Sequence, residues 1–119
     1  MINLPNEITL SRSVTNKFSV IKQRTGITPN LLSRVALMKA LESDVALADL
    51  KEVVETGQRI PKDIAFGEDL DMYRLALEFY ANEKGFTGDF KNLVNNLVEY
   101  GAQQYIPQVK SIIDFDRLT

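Results

Sequence analysis

Apolar residues recur three or four positions apart along most of the chain, which is the spacing of one face of an α-helix. The first such set predicts a helix that is capped by Ser11 or Ser13 and ends at about Thr25, where Gly26 suits the left-handed position after a helix. Before this helix, residues 7–10 alternate polar and apolar, which fits either a very short strand or an extended segment. The chain is therefore expected to open with a short extended stretch followed by a helix.

The junction to a second helix carries the strongest local signal in the sequence. Thr28 supplies an N-cap and Pro29 stands at the first helical position, so this helix is expected to run to Leu41 or Glu42. Its apolar residues cover nearly the whole circumference: Leu31, Leu32, Val35, Ala36, Leu37, Met38 and Leu41. Two interpretations stay open, namely a core helix surrounded by the others, or a helix with a subunit interface on part of its surface.

Two further helices are predicted in the second half of the chain. Asp69 can cap a third helix that ends at Lys84 before Gly85, and Asp89 can cap a fourth that ends before Pro107. The third helix carries an apolar stripe with aromatic residues at core spacing: Met72, Leu75, Ala76, Phe79 and Tyr80. The tail after the fourth helix is expected to add a last turn.

The hydrophobic pattern is weaker between Ser43 and Gly67, where we expect a short helix near Leu47 to Glu55 followed by a loop. No repeat of fixed period and no low-complexity segment divides the chain. The sequence therefore predicts a single all-α domain over residues 1–119, with four main helices and room for a very short N-terminal strand.

The composition argues against several kinds of chemistry. The chain has no Cys and no His, so it lacks a nucleophilic thiol, a thiolate metal site and the commonest general base. The acids that open the third helix, Glu68, Asp69 and Asp71, suit the helix dipole and predict no magnesium site. We expect no enzymatic activity and no catalytic, cofactor or metal site. Without a membrane-spanning apolar run or a signal-peptide pattern, a cytoplasmic protein is expected.

Charge is unevenly distributed, although the formal net charge is only −2. Residues 1–41 carry six bases and one acid, a net charge of +5, whereas residues 42–91 carry six bases and twelve acids, a net charge of −6. On the first helix, Lys17 and Arg24 lie about 20° apart in projection, and Lys22 lies on the other side of the apolar stripe. This basic end suits a phosphate backbone, and an ordinary solvated helix face is the alternative.

The run from Arg24 to Arg34, which reads RTGITPNLLSR and continues into Ala36 and Leu37, resembles the DndE family of DNA sulfur-modification (phosphorothioation) proteins. The similarity is good from about Leu4 to Glu42. Beyond this stretch the order of the helices and the total length fit more loosely.

The resemblance implies a DndE-like domain that acts as a non-enzymatic accessory subunit of the machinery that replaces a non-bridging phosphate oxygen of DNA by sulfur. It implies binding to nicked double-stranded DNA, as a homo-oligomer and specifically a tetramer. A cysteine desulfurase, an iron–sulfur ATP-pyrophosphatase-like subunit and an ATPase would supply the chemistry, and no membrane is involved.

We assign the DNA-phosphate contacts to the bases of the first segment: Arg12, Lys17, Lys22, Arg24, Arg34 and Lys39. Such contacts position a protein on the DNA backbone without reading its sequence. The acidic centre of the chain would oppose DNA binding unless it faces away from the duplex or toward a partner protein.

Two alternative functions stay open. The chain could be a protein adaptor that docks the modification enzymes without binding DNA itself. It could also be a ribbon–helix–helix transcription regulator, with residues 7–10 as the ribbon and dimers that read the major groove.

Overall fold

The structure is a computed structural model that describes residues 3–119, so the first two residues of the predicted domain lie outside the described residues. The elements in chain order are β1 Glu7–Ser11, α1 Arg12–Thr25, α2 Pro29–Glu42, β2 Thr56–Pro61, α3 Lys62–Phe66, α4 Leu70–Lys84, α5 Phe90–Gln104 and α6 Ile112–Leu118. Short 3-10 turns lie at Leu47–Asp49, Gly67–Asp69 and Ile106–Gln108. No helix within this range is long and apolar enough to cross a bilayer.

The four main helices predicted from the sequence are confirmed as α1, α2, α4 and α5. Ser11 and Asp89 cap α1 and α5 through their side-chain oxygens, and Gly26 ends α1 with a left-handed φ of 78°. Thr28 stands at the N-cap position of α2 as predicted, with an extended backbone, but its side chain makes no capping hydrogen bond. Pro29, whose ring fixes a helical φ, stands at the first helical position.

The fold is mostly helical but not all-α as predicted, because β1 and β2 form a two-stranded antiparallel sheet. Strand β1 confirms the short N-terminal strand. Strand β2 was expected to be a loop, since its six residues include Gly57, Pro61 and a single large apolar side chain. That side chain, Ile60, is buried opposite Ile8 of β1, so the tertiary pairing overrides a weak local pattern.

The helix predicted near Leu47 to Glu55 was also wrong. Only the 3-10 turn at Leu47–Asp49 forms, and the backbone is already extended at Leu50. The chain needs these residues to travel from the end of α2 to the start of β2, and a helix would shorten their reach.

Hydrogen bonds fasten the sheet to α1 and α5. The Thr9 amide donates to Asn95 Oδ1 of α5 at 3.0 Å, and the Gln58 amide donates to Thr15 Oγ1 of α1 at 2.9 Å. A Cβ atom on Gly57 would overlap the Thr15 side chain, so β2 can lie this close to α1 only with glycine at that position. The sheet thus holds α1 and α5 in a fixed relation.

Helix α2 is the central helix of the core. It packs against α1, α3, α4 and α5, and its Leu32, Ala36 and Ala40 are completely buried. Only Leu31 among its large apolar residues is exposed, at 40%. The interpretation of α2 as a core helix is therefore confirmed for most of its apolar surface, and Leu31 remains exposed.

The closest helix contact joins α2 to α5. A Cβ atom on Gly101 of α5 would overlap the backbone carbonyl of Ala36 on α2, so the two backbones touch at this point. Leu93 and Leu97 on α5 are buried in the same core. The small residues at the crossing let the larger ones above and below it interlock.

Helix α4 turns a different face to the core than its predicted stripe. Its buried residues are Tyr73, Leu77, Tyr80 and Ala81, whereas Met72, Leu75 and Phe79, expected in the core, are exposed. Both sets repeat at helical spacing, so the spacing alone does not choose between them. The Tyr80 hydroxyl donates to the Val45 carbonyl at 2.6 Å, and burial, with a smaller effect of nearby Asp44, raises the pKa of Tyr80.

Arg34 fastens α2 to the end of α3. Its Nε donates to the Ala65 carbonyl at 2.7 Å and its Nη2 donates to the Ile64 carbonyl at 2.8 Å. A Cβ atom on Gly67 would lie 2.7 Å from Arg34 Nη2, so the guanidinium is packed closely beneath this turn. The side chain therefore has a structural role.

We expect Gly101→Ala to lower the free energy of unfolding by about 3 kcal/mol, the upper part of the usual range for overpacking. The new Cβ would overlap the Ala36 backbone, which cannot rotate away as a side chain can. Asn92→Ala, on the exposed start of the same helix, is the control and should change stability by less than about 0.5 kcal/mol. Urea unfolding followed by circular dichroism measures both, and equal midpoints would contradict the close contact.

Arg34→Met, which keeps the unbranched stem of the side chain and removes the guanidinium, should lower the free energy of unfolding by about 2 kcal/mol because two charge-assisted hydrogen bonds are lost. Lys39→Met is the matched control on the same helix. Lys39 makes only a partly exposed ion pair with Glu42 at 3.4 Å, so its loss should change stability by less than about 0.5 kcal/mol. Thermal unfolding of the two variants compares them directly, and an unchanged melting temperature for Arg34→Met would refute the structural role.

Candidate nucleic-acid interface

Three bases meet at one groove between α1 and the segment that follows α5. The groove has a volume of about 350 Å³ and is lined by Lys17, Arg24 and Lys110. Its apolar surface comes from four side chains, Val20, Ile21, Pro107 and Val109. Val20 is 46% exposed, so part of this apolar surface is open to a ligand. We call this the basic groove.

Lys17 is held in place at the side of the basic groove. Its ammonium donates to Gln103 Oε1 of α5, and Gln103 Nε2 in turn donates to Glu99 Oε2 at 2.9 Å. An ammonium has three donors, so one such bond orients Lys17 and leaves donors for an anion. A base with its side chain already ordered loses less conformational entropy when it binds.

The predicted bases Lys22 and Arg12 also lie on α1 but do not line the groove. Both are exposed, and Lys22 projects about 140° away from Lys17 around the helix axis. They add to the positive field of α1 without belonging to the same concave surface.

The predicted bases Arg34 and Lys39 of α2 lie away from the basic groove. The Arg34 guanidinium is occupied by two carbonyls at the end of α3. Lys39 pairs with Glu42 and lies beside Arg117 on a second shallow pocket, which shares only Val109 with the basic groove. The structure therefore brings together Lys17 and Arg24 from the predicted set and separates the other four from them.

Lys110 is the site residue that sequence reasoning missed. It follows the 3-10 turn at Ile106–Gln108, and its backbone amide donates to Asp114 Oδ2 at 3.0 Å, which fixes the turn into α6. No local pattern marks it, because it reaches α1 only through the path of the chain after α5. Pro107, which lies in this 3-10 turn three residues after the end of α5, is the one sequence signal for the change of direction.

The basic groove can hold an anion that also has an apolar part. Three cations surround an apolar floor, and a sugar–phosphate backbone presents both a charged phosphate and an apolar deoxyribose face. Within residues 3–119, no group of three or more His, Cys, Asp or Glu side chains is arranged to hold a metal ion. The acids before and in the first turn of α4 thus form no such group in the described part of the chain.

Comparison with protein families and solved structures identifies the fold. The family model described as DNA sulphur modification protein DndE matches residues 7–110, which include all three bases of the groove. The crystal structure of DndE from Escherichia coli B7A, described as involved in DNA phosphorothioation modification, is 27% identical with a TM-score of 0.65. That match covers 85% of this chain and 96% of the other.

A second similar structure is that of a mutant DndE involved in DNA phosphorothioation, at 24% identity and a TM-score of 0.64, which shows the same fold. It covers 85% of this chain and 97% of the other. Among curated protein sequences, none matches the chain significantly. The family match extends the resemblance, which was good from about Leu4 to Glu42, over most of the chain, and the chain belongs to the DndE family of DNA sulphur modification proteins.

Proposed function

We propose that this protein is a non-enzymatic accessory subunit of a DNA phosphorothioate modification system, and that it holds DNA backbone phosphates in the basic groove. The convergence of Lys17, Arg24 and Lys110 around an apolar floor carries the proposal. Membership of a family involved in DNA phosphorothioation supplies the biological setting.

In this proposal the basic groove holds the backbone of one strand, so that a flexible duplex binds better than a rigid one. The bases that line the groove would neutralise phosphates, while the exposed side chain of Val20 would pack against deoxyribose. A nick interrupts one strand and lets the duplex bend, so a nicked DNA reaches the groove with less deformation energy. Preference for a nick thus needs no contact with base edges.

The chemistry of sulfur transfer belongs to other subunits in this proposal. A chain without Cys cannot carry a persulfide. The ATPase and the ATP-pyrophosphatase-like subunit remain its proposed partners. The tetramer stays a prediction, and α2 offers little surface for it, because most of its apolar residues are buried inside the chain and Leu31 is the large exposed one.

The alternative of a ribbon–helix–helix regulator finds no support in the sheet. Such a regulator pairs its N-terminal strand with a second copy, whereas β1 here pairs with β2 of the same chain. The protein-adaptor alternative is favoured by a separate observation, the exposed apolar side chains of α4.

Lys17→Ala, Arg24→Ala and Lys110→Ala should each weaken binding to duplexes of two unrelated sequences by the same factor, because phosphate contacts carry no sequence information. Each change should also make the slope of log K against log salt shallower by about 1, since about one fewer counterion is released. Fluorescence anisotropy with intact and nicked duplexes, between about 50 and 200 mM salt, measures both quantities.

Lys91→Ala is the matched control, because Lys91 is an exposed base of α5 that lies outside the basic groove. It should leave affinity and salt slope unchanged. A control that weakens binding as much as the groove variants would show that net charge alone is responsible. Failure of the unmodified protein to bind any duplex would overturn the proposal.

A further inference from the structure

Three large apolar side chains point outward from α4. Met72, Leu75 and Phe79 are exposed to 57%, 62% and 68%, and their spacing of three and four places them in one stripe. The stripe extends over about 11 Å of helix axis. Single exposed apolar residues are ordinary, but a contiguous stripe marks an interaction site.

A groove continues this stripe toward the end of α2. It has a volume of about 340 Å³, with Leu41, Ala76, Phe79 and Tyr80 as its apolar lining. Glu42, Asp44 and Glu83 stand at the same groove. Phe79 belongs to both the stripe and the groove, so the two form one surface, which we call the α4 face.

The charges around the α4 face are predominantly negative. The two cations of α4 are already paired, since Arg74 forms a salt bridge with Asp71 at 3.2 Å and Lys84 forms one with Asp44 at 2.8 Å. Four further acids along this region make no ion pair within residues 3–119: Glu68, Asp69, Glu78 and Glu83. The apolar stripe is therefore bordered by uncompensated carboxylates.

We propose that the α4 face binds a basic amphipathic helix of a partner protein. An apolar stripe with a groove beside it is the surface on which a helix places its own apolar residues at i, i+3, i+4 and i+7. The acidic border complements Lys or Arg on the flanks of such a helix and sets its orientation. From Glu68 to Glu83 the surface is about 22 Å long, enough for about four turns of helix.

Two other occupants, DNA and a second copy packed about a two-fold axis, would be repelled by the acidic border of the α4 face. DNA is repelled, because its phosphates would face the acidic border. A second copy packed face to face about a two-fold axis would set acids against acids. The α4 face shares no lining residue with the basic groove, so this proposal does not depend on DNA binding.

The test uses two labelled synthetic peptides of about 18 residues with the same leucine positions at helical spacing. One peptide carries Lys and the other Glu at the polar positions. Anisotropy titration with the full chain should show binding of the Lys peptide that is at least about tenfold tighter than that of the Glu peptide.

The variant Met72→Ser/Leu75→Ser should weaken binding of the Lys peptide by at least about tenfold, since both anchors are lost. The matched control is Ile112→Ser/Ile113→Ser, which removes two side chains of α6 with the same exposures of 57% and 62% and should leave binding unchanged. Because all four side chains are exposed, circular dichroism should show an intact fold in both variants.

Equal binding of the two peptides, or equal loss in both double variants, would overturn the proposal. A self-association seen by light scattering that only Met72→Ser/Leu75→Ser abolishes would overturn it as well, because a second copy would then cover the face. Lys17→Ala/Arg24→Ala should keep full peptide binding. Failure of DNA binding and failure of docking are therefore distinguishable.

Discussion

The structure depends on the contact between the backbones of α2 and α5 at Ala36 and Gly101. Because no side chain separates the helices there, their larger residues interlock on both sides of the crossing and α2 becomes the centre of the core. The remaining elements then cover α2: α1, α3 and α4 pack on it directly, and the sheet packs on α1 and α5. A small domain uses its apolar material efficiently in this way, because one helix is buried on nearly every side.

The two-stranded sheet positions the basic groove, although it contributes no residue to it. The Thr9 amide of β1 donates a hydrogen bond to Asn95 of α5, and the Gln58 amide of β2 donates one to Thr15 of α1. These bonds fix α1 relative to α5, so that Lys17 meets Gln103 and the segment after α5 returns beside α1. The spacing between Lys17, Arg24 and Lys110 is thus a property of the whole fold, as preorganised binding requires.

The sequence was sufficient where local interactions decide the structure, as at Gly26, Pro29 and Asp89, which mark helix ends through backbone conformation and capping. It was insufficient where tertiary contacts decide. Strand β2 has one large buried apolar side chain, Ile60 opposite Ile8, and its glycine and proline are typical of a loop. The stripe of α4 was assigned to the core because two apolar sets share the same period.

The residues of the basic groove were predictable only in part. Helix geometry places Lys17 and Arg24 on one side of α1, whereas Lys110 is brought to the groove by the path of a distant segment. Seven of the twelve acids of residues 42–91 lie on α4, just before it or at its groove, and α4 packs on α2 and α3. The basic groove and the α4 face differ in location and in the expected effect of salt on binding. The proposed DNA binding at the groove would depend on counterion release and weaken steeply with salt, whereas the proposed docking on Met72, Leu75 and Phe79 would have an apolar component that salt does not screen. If both proposals hold, rising salt should release DNA before a docked helix, so that the subunits stay together after the DNA dissociates.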